Sequence, residues 1–308
     1  MNQAWVAVAL LLPLLVWSGN PAVALLAGTV LSLSWRKPLA VNGHRWGRMA
    51  LQSAIVLLGF TLSIGRVAEV SGDSLGLVAV YVIGVLGAGL GLARALRLER
   101  ESGWLMTSGT AICGGTAIAT LAPLVGARAD QVGVAIGIVF LLNAAALFGF
   151  PVLGHWIGMS QIQFGMWAAL AIHDTSSVLA TAAIYGNEAL EVATTVKLGR
   201  TLWLIPLTLM VSLAQRASAA RVRVPPFIVA FIAVSVLSTA LPLPAWVGHS
   251  AGRISKALLV TALFFIGTEI SWATLKLMRG RVLVHALLLW AVAGSATLLA
   301  VLTVFRPD

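Results

Sequence analysis

Charge is what this chain has least of. Only 10% of its 308 residues are Asp, Glu, Lys or Arg, against about 25% in soluble domains, and the mean hydropathy is +0.98. A soluble globular domain is excluded. Cysteine is nearly absent too: Cys113 stands alone, so neither an intrachain disulfide nor a cysteine-based metal cluster is expected. The N-terminus Met1-Asn2-Gln3 lacks a basic run, which argues against a cleaved signal peptide. Gly84, Gly87, Gly89 and Gly91 have no Lys-Ser/Thr beside them, so they do not spell a phosphate loop; close helix contact is their expected use. His173 and Asp174 are adjacent in sequence, and neighbours rarely face each other as a Ser–His–Asp triad needs. No enzyme, cofactor or metal is expected.

What is present is length of apolar chain. Helices of about 20 residues would use up the sequence in roughly nine to eleven spans, giving an all-α polytopic membrane protein. The net charge of +10 comes largely from loops, as the positive-inside rule produces, and not from a nucleic-acid surface. Spans are read at 3–18, 20–34, 47–65, 74–95, 132–156, 193–215, 226–243, 254–275 and 282–305. Basic clusters at Arg36, Lys37, Arg45 and Arg48, at Arg94, Arg97 and Arg100, at Arg216, Arg221 and Arg223, and at Lys276, Arg279 and Arg281 mark one side as cytoplasmic. That parity puts the N-terminus there as well. Arg66, Glu69 and Asp73 read as an external loop, as does Asn187–Glu191. A single transmembrane domain is expected over 1–308, with N-terminal helices (3–95), a core (102–200) and C-terminal helices (201–308).

Two stretches in that core cannot be ordinary spans. Residues 102–126 contain Cys113-Gly114-Gly115, and 163–186 contain His173-Asp174-Thr175-Ser176-Ser177. Adjacent glycines weaken a helix by about 1 kcal/mol each, and an intramembrane aspartate costs about 2.5–3.5 kcal/mol. Irregular polar backbone survives at depth only when buried in protein or lining a wet cavity. Paired breaks of this kind form binding sites in secondary transporters. The two stretches match at an offset of 60 residues: Ala111 with Ala171, Ile112 with Ile172, Ala122 with Ala182, Gly126 with Gly186. Gly59, Ser63 and Gly72 recur at the spacing of Gly267, Ser271 and Gly280, which fits either inverted repeats or two packing faces. Charge does not say whether the broken elements cross or re-enter; as hairpins they would enter from opposite faces.

The candidate site follows from those breaks. Lys197 and Arg200 share one helix face with Thr194 and Thr201, a stripe suited to an oxyanion or, for Lys197, a snorkelling stem. Glu269 is a further charge within a span. Thr110, Cys113, Gly114, Gly115, Thr116, Thr175, Ser176 and Ser177 would offer N–H and hydroxyl donors at free helix ends, with Asn143 facing the site or bonding across helices. Asp174, with His173, is either the proton or coupling-ion site or a helix cap. Cys113 is also read as plain packing.

These residues carry a resemblance. Gly109–Gly114, Ala171–Ser176, Ala193–Arg200, Leu57–Phe60, Asn143 and Phe150-Pro151 resemble the YeiH-like family of bacterial inner-membrane proteins assigned as sulfate exporters, over nearly the whole chain. Ala111 and Ser177 depart from that family's pattern, which has serine and glutamine there. The resemblance implies a carrier with inverted repeats that moves sulfate or a related sulfur oxyanion by alternating access. The absence of an ATP motif points to a coupling proton or sodium ion. A cation/proton antiporter using Asp174 is the alternative, and a homodimer is compatible with either.

Overall fold

The computed structural model describes residues 3–35, 43–61, 64–215, 226–241, 243–269 and 280–305. Arg36, Lys37, Ser63, Arg216, Arg221, Arg223, Ser271, Lys276 and Arg279 lie outside them, and so does the side chain of Glu269. The described residues form helices and no strands. They run α1 (Gln3–Ser18), α2 (Pro21–Trp35), α3 (Gly43–Leu58), α4 (Ile64–Ala95), α5 (Arg100–Ala111), α6 (Gly115–Val125), α7 (Ala129–Ile157), α8 (Gln161–Ala171), α9 (Thr175–Tyr185), α10 (Asn187–Leu202), α11 (Leu204–Gln215), α12 (Pro226–Ala240), α13 (Ala245–Glu269) and α14 (Arg281–Val304). Among the described residues, five stretches are long and apolar enough to cross a membrane: Ser74–Ala95, Asp130–Ile157, Asn187–Leu213, Trp246–Thr268 and Arg281–Val304. The chain is an all-α polytopic membrane protein.

Three readings of the sequence are corrected. The charged stretch from Arg66 to Asp73 lies within α4. Asn187–Glu191 opens α10, where Glu188 sits in the first turn and complements the positive helix end. The span at 193–215 is interrupted at Trp203.

The helices form two compact units that do not follow chain order, one from Met1–Ala68 with Val224–Leu275 and one from Glu69–Arg223 with Lys276–Asp308. In the first unit α13 is the central helix. Ser32 Oγ donates to Thr268 O at 2.8 Å and Gly28 abuts Phe264, so α2 runs parallel to α13. Ser255 Oγ donates to Ala54 O at 2.8 Å and Gly47 abuts Phe265, so α3 runs antiparallel. A methyl group at Gly28 or Gly267 would collide with the carbonyl of Phe264 or Leu25. Small residues here let backbones touch where lipid supplies no hydrophobic drive between helices.

The second unit is built on two helical hairpins. Glu99, just before α5, pairs with Arg128, just after α6, at 3.2 Å, and Gln131 bonds the same carboxylate. Entry and exit of 100–125 therefore lie at the same end. The second hairpin closes likewise: Gln161 Oε1 accepts from the N–H groups of Glu188 (3.0 Å) and Ala189 (3.3 Å), and Tyr185 Oη donates to Met159 O at 2.6 Å. Both elements re-enter. Between them α7, 29 residues and about 43 Å long, runs from the mouth of the first hairpin to that of the second, so they enter from opposite ends. The breaks keep the 60-residue offset: Ala111 and Ala171 end the first arms, Gly115 and Thr175 start the second.

Of the glycines in α4, only Gly89 is needed for close approach. A methyl there would lie 2.5 Å from Thr107 Cγ2, while Gly84, Gly87 and Gly91 have nothing within 4 Å. Gly89→Ala should cost about 1–3 kcal/mol through overpacking, whereas Gly84→Ala and Gly87→Ala should be neutral or stabilising. Thermal unfolding of the purified variants checks the ranking.

Candidate functional site

A helix ending inside apolar protein leaves its last four carbonyls without intrahelical partners, and buried carbonyls must be paired. Two such ends meet here, those of α5 and α8. In α5, Ser108 O accepts from Ile112 N and Gly109 O from Gly114 N. Thr110 O accepts from the Arg200 guanidinium and from Tyr81 Oη at 3.2 Å, and Ala111 O from Arg200 Nε at 2.9 Å. In α8, Ala168 O accepts from Ile172 N. Arg200 Nη1 reaches Ala169 O at 2.8 Å and Leu170 O at 2.7 Å. Trp290 Nε1 takes Ala171 O at 3.0 Å, and Lys197 Nζ takes Ile172 O at 2.7 Å. Every terminal carbonyl of both arms is paired, and one guanidinium bridges the two hairpins.

That arrangement decides how Lys197 and Arg200 behave. Both are fully buried, so neither snorkels, and their heads point at helix C-termini, where a positive charge is favoured. Arg200 Cζ also lies 4.6 Å over the Tyr81 ring, a cation–π contact. The stripe of hydroxyls is already committed to its own helix: Thr194 Oγ1 donates to Leu190 O and Thr201 Oγ1 to Lys197 O. Thr110 Oγ1 likewise donates to Met106 O.

The second arms begin with their N–H ends facing the same crossing. Asp174 is the N-cap of α9; its Oδ2 accepts from Ser176 N at 2.9 Å and Ser177 N at 3.4 Å. Gly114 is the N-cap of α6 and gives it no side-chain cap. Its φ of +61° favours glycine. A methyl there would come within 3.3 Å of Asp174 N and 3.1 Å of Val139, so the two breaks touch beside α7. Asn143, midway along α7, holds the second break: its Oδ1 accepts from His173 N at 3.2 Å and Asp174 N at 3.5 Å.

Gly115, Asp174, Thr175 and Ser176 are half-buried and Thr116 is exposed, whereas Thr110, Cys113, Gly114, Asn143, His173, Ser177, Lys197 and Arg200 are buried. The open edge of the crossing is thus its N–H side. Among the described residues, Asn143 Nδ2 and both ring nitrogens of His173 are buried without partners. No group of three His, Cys, Asp or Glu side chains able to hold a metal occurs among them. Gly72-Asp73-Ser74-Leu75-Gly76 has the spelling of a nucleophile elbow, but it lies within α4, with Ser74 Oγ donating to Val70 O; an elbow needs a strand-to-helix turn.

Sequence reasoning missed Tyr81, Trp290 and Gln161. The two aromatic donors are isolated polar tips in apolar helices and carry no motif. The capping box of Ser160 and Gln163 marks the start of α8 in the sequence, but nothing there signals that Gln161 reaches the start of α10.

Comparison with known proteins places the chain among membrane proteins. A family model described as Conserved hypothetical protein 698 matches residues 13–286. A UPF0324 membrane protein of Geobacter sulfurreducens is 38% identical over 284 residues, covering 92% of this chain and 91% of its own. One from Shewanella oneidensis is 39% identical over 294 residues, covering 96% and 93%. No solved structure matches the chain.

Because lysine offers a point charge and not a planar fork, Arg200→Lys should leave several buried carbonyls unpaired at about 1–3 kcal/mol each. The melting point should fall by about 5 °C or more. Trp290→Phe, which frees a single carbonyl, should cost only about 1 kcal/mol. Thermal unfolding in detergent compares the two.

Proposed function

The chain belongs to the YeiH-like family, described as Conserved hypothetical protein 698 and including the UPF0324 membrane proteins, and from that premise we propose that it is a secondary carrier of a small anion. Uneven capping of the crossing supports this reading. Two helix C-termini carry two cations, Lys197 and Arg200, while two N-termini carry one carboxylate, Asp174. Each helix end is worth roughly half an elementary charge, so the ends cancel and the side chains leave an excess of one positive charge. One unit of negative charge at α6 would balance it; sulfate, which carries two, would need one further positive charge, such as a coupling proton.

Gly115 and Thr116 would offer N–H donors to that ion, the chemistry of anion binding at helix N-termini. Thr116, Thr175 and Ser176 would add hydroxyls, with Asn143 Nδ2 and His173 as nearby spare polar groups. Lys197 and Arg200 act from behind, through field and not contact. A tetrahedral sulfur oxyanion such as sulfate suits a site rich in donors and poor in acceptors. Hairpins entering from opposite ends supply the two halves that alternating access needs. The setting is a bacterial inner membrane with a cytoplasmic N-terminus. The cation/proton antiporter reading draws on the half-buried Asp174 carboxylate, but that group already accepts two N–H bonds as a cap.

Sulfate should raise the melting point of the purified protein at constant ionic strength by about 3 °C or more when saturating. Asp174→Asn keeps a competent cap and removes the carboxylate's charge, so it should retain that response. If the variant instead loses a sodium or pH dependence that the wild type has, while sulfate affects neither, the antiporter reading stands.

A further inference from the structure

Carbonyls at the C-terminal ends of interrupted membrane helices are a usual seat for coupling cations in secondary carriers. At this crossing the seats are filled by side chains. Lys197 Nζ lies 2.7 Å from Ile172 O and 3.4 Å from Ala169 O, fully buried, with Arg200 Nη1 on the same two carbonyls at 3.5 and 2.8 Å. The two residues divide the work. Arg200 bonds carbonyls of both hairpins, Thr110 and Ala111 on one side and Ala169 and Leu170 on the other, so it is a clamp. Lys197 bonds the second hairpin only. Its head is a compact monovalent charge on a flexible stem, with no carboxylate within ion-pair distance among the described residues.

We infer that Lys197 is a tethered monovalent cation occupying a sodium-type seat at the C-terminus of α8, so that the crossing assembles without sodium. The inverted repeat supports this reading. The first repeat has Gly137 and Phe140 where the second has Lys197 and Arg200, so both cations that neutralise the two carbonyl ends come from α10. Removing the Lys197 stem leaves Arg200 bridging the hairpins and leaves Ile172 O without its nearest donor, beside the space vacated by three methylenes and the ammonium. A small cation from solution then has a seat to fill. This inference concerns the coupling ion and does not depend on which anion is carried.

The test uses the full-length protein in detergent, with chloride salts of sodium, potassium, methylammonium and N-methylglucamine at equal ionic strength. Wild type should melt at the same temperature in all four. Lys197→Ala should melt lower in N-methylglucamine, and sodium or methylammonium should raise it by about 3 °C or more. If the variant cannot be isolated alone, methylammonium present throughout should restore a monodisperse protein. Sodium-specific stabilisation of wild type overturns the inference. So does an alanine variant that neither sodium nor methylammonium stabilises or restores. Absence of any sulfate response in wild type, with this cation pattern intact, counts against the anion reading alone.

Discussion

The second unit depends on how four backbone carbonyls from two different hairpins are satisfied. Two helices are cut short inside apolar protein, and their dangling ends would each cost the desolvation of unpaired groups. Arg200 answers both at once, through Nε and Nη2 to α5 and Nη1 to α8. Planarity matters here, because a fixed fork can meet acceptors on opposite sides while losing little side-chain freedom. Tyr81 and Trp290 complete the pairing from α4 and α14. The tips are held both by these hydrogen bonds and by buried apolar residues such as Ile112 and Ile172.

The opposite side of the crossing is held more loosely. One N-terminus is closed by its own aspartate and the other opens on glycine. The same 60-residue offset that relates Ala111 to Ala171 relates Gly114 to Asp174. The two elements thus share paired carbonyl ends and differ at their N–H ends. A capped end is self-sufficient and an uncapped one is not, which is why the proposed anion is assigned to α6.

Much of this was legible in sequence. The Gly114-Gly115 pair and the half-buried Asp174 inside apolar runs locate both breaks to within a few residues, because both weaken a membrane helix. The offset repeat exposed the relation between them. Whether the elements cross or re-enter was not legible, since either choice leaves the basic loops on one side; Glu99 with Arg128 and Gln161 with Glu188 decide it. The roles of Lys197 and Arg200 were half legible. Their shared face could be read from spacing, but the direction of their heads depends on carbonyls 25 to 90 residues away. The charged stretches at 66–73 and 187–191 looked like loops because polarity was taken for irregularity. Both are helical, and in α10 the acidic first turn suits the helix end.

The most direct measurement is a crystal or cryo-electron structure of the protein soaked in selenate, whose selenium can be located independently of water. The account predicts an anion within hydrogen-bond reach of the Gly115 and Thr116 N–H groups, with Lys197 and Arg200 still on their carbonyls. An anion bound directly to Lys197 or Arg200, with those carbonyls released, would contradict it, as would a selenate-saturated structure whose α6 N-terminus binds nothing.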